Sequence, residues 1–217
     1  MEGDPSTTEG TEGPVERGLS RFLAPDATYE VTRFLILRLL GILYAFAFAI
    51  LVFQGPALLG SRGLLPAATF VERATAAFGL KGAFTRAPSL FFLLGAGDGT
   101  LAFFAWLGLG LSVAVALGLT NALAQLALWA IYLSFIHVGQ VFYGYGWESL
   151  LVETGFLVVF LCPARTISPF PRTAVPRVPL WLLRWLTFRV MLGAGLIKLR
   201  GDPCWRDLTC LVYHYET

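Results

Sequence analysis

Four stretches of this chain stay apolar for about the 20 residues that a helix needs to cross a bilayer's hydrocarbon: Phe34 to Phe53, Thr100 to Leu119, Ala122 to Tyr143 and Val178 to Leu199. A fifth, Trp147 to Cys162, is shorter and carries Glu148 and Glu153, yet its core GFLVVFLC is strongly apolar and Pro163 stops it. In lipid, a lone segment can satisfy its own backbone only as a helix. Composition agrees: 56% of the 217 residues are hydrophobic and 14% are charged, against about 25% charged in soluble domains. The sequence therefore predicts an all-α, polytopic transmembrane bundle of about five spanning helices, with the lipid bilayer as its first partner.

Residues 1–28 read differently. Met1 to Arg21 is rich in Glu, Gly, Thr and Pro and has no apolar core, which makes it a disordered tail instead of a secretory signal. The first span then acts as an uncleaved signal-anchor, and residues 29–217 form the membrane domain. Between the first two spans lies a long connection, Gln54 to Gly99. In it Phe70, Val71, Ala74, Ala77 and Phe78 recur at helical spacing opposite Glu72, Arg73 and Lys81, the pattern of an interfacial helix. PSLFFLLG, residues 88–95, is too short to cross alone; it is re-entrant, surface-lying, or a prelude to the second span.

The loop Pro163 to Arg177 carries Arg165, Arg172 and Arg177 and no acidic residue, so the positive-inside rule places it in the cytoplasm. Counting back over five spans puts the N-terminus, with Arg17, Arg21 and Arg33, on the same side. The long connection, with Arg62, Arg73, Lys81 and Arg86, then lies on the far side, where long loops obey the rule poorly.

Charges within the spans need partners, because each costs roughly 2.5–3.5 kcal/mol on insertion scales. They are Arg38, Glu148, Glu153, Arg184, Arg189 and Lys198. The fourth and fifth spans run antiparallel from one short loop. At 1.5 Å per residue, Glu153 lies about 13 Å above Cys162 and Arg189 about 16 Å above Val178. The two should pair near mid-membrane, with Glu148 higher and closer to Lys198, whose stem can snorkel to the interface. Such pairing either locks the helices together or serves a reaction.

After Lys198 the chain continues as LRGDPCWRDLTCLVYHYET, on the non-cytoplasmic side. Asp202 before Pro203 resembles an N-cap and first helical residue. A helix unbroken through Cys210 would separate Cys204 from Cys210 by about 9 Å along its axis, more than the roughly 7 Å a disulfide tolerates. Either the helix breaks or the bond is absent. Cys162 reads as a lone buried thiol. Tyr213, His214, Tyr215 and Glu216 make a poor ending for a membrane bundle, so the chain reads as truncated.

GSRGLLP at 60–66, GWESLLVETGFLVVFLCP at 146–163 and FRVMLGAGLIKLRGDPCWRDLTCLVYHYET at 188–217 resemble the lipase maturation factor family, from about Tyr29 to Thr217. The resemblance implies a multi-pass protein, of the endoplasmic reticulum membrane in animals, that assists folding and assembly of secreted dimeric lipases. It implies no cofactor. An Ala- and Gly-rich composition also suits a bacterial homologue, whose membrane would be the inner one. A fainter similarity, carried by GAGLIKL at 193–199, links the bundle with the transmembrane domain of vitamin K-dependent gamma-carboxylase, in which a lysine is the base. Lys198 would be that lysine.

Two functions follow. A maturation factor acts through loops and exposed apolar surface on the far side, with a secreted lipase as client. A membrane enzyme needs Lys198, Glu148 and His214 to converge on a lipid-accessible pocket. Inverted repeats, which a transporter would show, are not evident. The 16 basic residues form no single run, so nucleic acid is set aside. Three cysteines and two distant histidines give no metal spacing.

Overall fold

The computed structural model describes residues 27–164 and 173–215, with Ala24 and Ile167. Most of the N-terminal tail, with Arg17 and Arg21, lies outside them, as do Arg165, Arg172, Glu216 and the side chain of His214. The long helices are α1 (Glu30–Leu59), α2 (Ala67–Arg86), α4 (Asp98–Leu117), α5 (Ala122–Val138), α6 (Gly146–Val159) and α7 (Arg177–Gly201). Short pieces complete the order: α3 (Phe91–Leu94) before α4, and α8 (Pro203–Arg206) and α9 (Cys210–Tyr215) after α7. The regular elements among the described residues are helices, as the sequence required of a membrane bundle.

Three of them are long and apolar enough to cross a membrane: α1, α4 and α7. The expected third and fourth spans are shorter than the apolar runs that suggested them. Helix α5 stops at Val138, because Gln140 takes a left-handed φ of 52° and the chain tightens into a 3-10 turn, Gln140–Tyr143. Helix α6 has 14 residues, about 21 Å at 1.5 Å per residue.

Successive helices among α1, α4, α5, α6 and α7 run antiparallel. The bundle therefore has an inner end, where α1 and α7 begin and α6 finishes, and an outer end, where α1 finishes and α4 begins. Helix α1 is the central element. Its Tyr44 and Phe48 form an aromatic cluster with Tyr132 and Phe135 of α5, at ring separations of 5.4 to 6.4 Å. Gly108 of α4 makes this possible, since a Cβ there would lie 2.2 Å from the Phe48 ring. Gly155 of α6 has the same role for Tyr44, whose hydroxyl donates to the carbonyl of Leu151 at 3.3 Å. Gly110, Gly193 and Gly195 instead meet nothing within 4 Å.

The connection after α1 resolves into two devices. Helix α2 is interrupted at Gly79 (φ 68°). Its first half leans on the bundle through Phe70 and Phe92, while Phe78, Leu80 and Phe84 remain exposed, as an interfacial helix requires. PSLFFLLG does not prolong α4, and it keeps Leu93 and Leu94 exposed. It inserts as a wedge, with Phe91 and Phe92 buried and Phe91 stacked 5.0 Å from Phe135. Its backbone is satisfied by α5: Ser89 Oγ donates to the Ser134 carbonyl (3.1 Å) and Ser134 Oγ accepts from Leu90 N–H (2.9 Å).

Candidate functional site at the outer end

Charged residues inside the bundle all find company. Near the inner end, Arg38 donates to the Val115 carbonyl in the last turn of α4 at 3.2 Å and lies over the Phe34 ring. A cation there also complements the negative end of the helix dipole. Arg184 stacks on Trp181 and Tyr29. Between α6 and α7, Arg189 donates to the Glu153 carboxylate, so the structure brings these two predicted partners together. The pair sits at the bundle surface, with side chains 51% and 43% exposed.

Lys198 and Glu148 are not brought together. Glu148 is buried at the start of α6, where its carboxylate accepts the Tyr145 N–H at 3.1 Å. A first-turn acid satisfies an amide that the helix leaves unpaired. Glu148 lines a small cavity of about 160 Å³ with Gln54, Leu58, Phe142 and Tyr143, and Lys198 is not among the lining residues. Lys198 instead has its Nζ 4.6 Å from the Trp205 ring centre. With the His214 side chain outside the described residues, the convergence needed for a lysine-based enzyme is not found among the described ones.

Beyond α7 the helix breaks, and the break changes the cysteine geometry. Asp202 accepts from Cys204 N–H at 2.9 Å and caps α8, while Arg206 Nε donates back to the Leu199 carbonyl at 2.9 Å. Leu208 takes a left-handed φ of 56°, which turns the chain and places Cys204 and Cys210 in a disulfide with Cα atoms 4.9 Å apart.

A second clasp closes the end of α1. The amides of Leu64 and Leu65 donate to the carbonyls of Ala57 and Leu58, which the ending helix would leave open. Ser61 then bridges to α4: its N–H and Oγ donate to the two oxygens of Asp98 at 2.7 and 2.6 Å. Beneath this clasp, between the second half of α1 and the first half of α4, lies a cavity of about 600 Å³. No local pattern foretells it, since Ser61 and Asp98 are 37 positions apart and share no local period.

All three stretches that carried the resemblance reach this outer end: 60–66 forms the clasp, 146–148 opens α6, and 198–215 holds the disulfide hairpin. A family model described as the lipase maturation factor transmembrane domain matches residues 31–217. The chain belongs to the lipase maturation factor family. It is 46% identical over 197 residues to lipase maturation factor 1 of Bos taurus and to that of Homo sapiens, covering 88% of this chain and 35% of each relative. To lipase maturation factor 2 of Homo sapiens it is 40% identical over 209 residues, 87% of this chain and 29% of the relative. The chain thus spans about a third of the length of the maturation factors it matches. No solved structure matches it.

Proposed function

We propose that this chain is the membrane-embedded part of a maturation factor that helps secreted lipases fold and assemble. The observation that carries the reading is the 46% identity to lipase maturation factor 1 across 88% of the chain. Residues 29–217 act as one membrane unit. Its inner end, with Arg33 and Arg177, faces the cytoplasm, and its outer end faces the compartment in which the client folds. In a eukaryotic cell that compartment is the endoplasmic reticulum lumen; in a bacterium the membrane is the inner one. An oxidising compartment suits the Cys204 to Cys210 bond.

The test is capture of the full-length protein from membranes, with identification of the secreted proteins retained. Recovery of a lipase supports the proposal. Capture with no lipase or esterase would count against it, and lost function in Lys198→Ala with client binding intact would favour a membrane enzyme instead.

A further inference from the structure

The cavity under the Ser61 to Asp98 clasp has the form of a ligand site. Its volume, about 600 Å³, lies within the roughly 300–1,000 Å³ of small-molecule sites. Buried Leu51, Leu101, Ala105 and Phe135 form its back wall, while exposed Pro56, Ala102 and Trp106 form a rim on the lipid-facing surface. Trp106 is 59% exposed and stands eight residues beyond Asp98, about 12 Å deeper along the helix. The slot therefore runs from the interface into the hydrocarbon and opens sideways to lipid. Its mouth is polar and carries both signs of charge, from Arg62 and Asp98. Pro56 adds one more group: it lacks an N–H, which deprives the Val52 carbonyl, on the cavity lining, of its ordinary helical donor.

We propose that this cavity binds one molecule of a zwitterionic phospholipid with a primary amine. The phosphate lies on Arg62, the ammonium on Asp98, and one acyl chain fills the slot toward Trp106. Each charge of the headgroup meets its opposite, and an ammonium with N–H groups adds charge-assisted hydrogen bonds. An anionic lipid would satisfy Arg62 alone and face Asp98 with like charge. A choline headgroup has the right charges but no N–H to donate. The proposal does not depend on the maturation role.

The test is native mass spectrometry of the full chain released from detergent after exposure to phosphatidylethanolamine, phosphatidylcholine or phosphatidylglycerol of matched chain length. One tightly held ethanolamine lipid per chain is expected, retained about tenfold over the other two. Asp98→Asn should reduce that preference about tenfold, Arg62→Gln should weaken retention of all three lipids about tenfold, and Ala102→Trp should abolish retention by filling the slot. Should Ala102→Trp fail to fold, Gly55→Phe serves the same purpose, since a Cβ at Gly55 meets nothing within 4 Å. Equal retention of the three headgroups, preference for the glycerol lipid, or retention undiminished in a folded slot-filling variant would overturn the proposal.

Discussion

Neutralising Glu153 or Arg189 tests how the bundle manages charge. Arg189 is the central residue of the 25-residue α7, and Glu153 lies mid-way along α6. Glutamine at either position leaves the other charge unpaired near mid-membrane, where one charge costs about 2.5–3.5 kcal/mol. The pair is about half exposed on the bundle, so lipid and not protein supplies much of its surroundings. Each single variant should therefore lose about 3 kcal/mol. The double variant strands no charge and should lose less than the two singles combined, by at least about 2 kcal/mol, within the range measured for close charge pairs. Reversible unfolding in bicelles, followed by helical circular dichroism, reads all four corners of the cycle. Additivity to within about 0.5 kcal/mol would refute the reasoning, because it would mean that neither charge depends on the other.

Gly108→Val should destabilise the bundle by about 1–3 kcal/mol through overpacking, since its Cβ would meet Phe48 at 2.2 Å, whereas Gly110→Ala, open on all sides, should be neutral in the same unfolding assay. Cys204→Ser should abolish a reduction-dependent mass change and lower the stability of the hairpin by about 2 kcal/mol, the loop-closure value for so short a loop; an unchanged mass on reducing the wild type would refute the bond. Cysteines placed at exposed Thr173 and Arg200 should label with impermeant reagents from opposite faces of the membrane, the second from the outer side. Labelling of both from one face would show that α7 does not cross the membrane.

What could be read from the sequence divides by range. Spans were legible because hydrocarbon demands unbroken apolarity, and this demand is written locally in Phe34 to Phe53 or Thr100 to Leu119. Their ends were not. Helix α1 continues through Pro56 to Leu59, and α5 stops short because of a backbone conformation at Gln140 that composition does not reveal. Depth arithmetic could address Glu153 and Arg189 because a single loop joins their helices. Nothing comparable exists for Ser61 with Asp98, Ser89 with Ser134, or Arg33 with Thr173, which are 37, 45 and 140 positions apart. Such contacts depend on which helices become neighbours, and apolar runs of similar character do not specify neighbours.

The same distinction explains why the outer end is the place to look for function. Only 11% of α7's apolar stretch is buried, against 39% for α1, so among the described residues α7 packs at the edge of the bundle and α1 nearer its centre. Yet its outer terminus is built in detail: Lys198 on Trp205, Arg206 on the Leu199 carbonyl, Asp202 capping α8, and a disulfide across the following turn. The wedge at Phe91 and the clasp at Ser61 serve the bundle, since they close helix ends that lipid cannot hydrate. The hairpin likewise closes the end of α7, through Arg206 on the Leu199 carbonyl, and adds a covalent bond across the turn that follows.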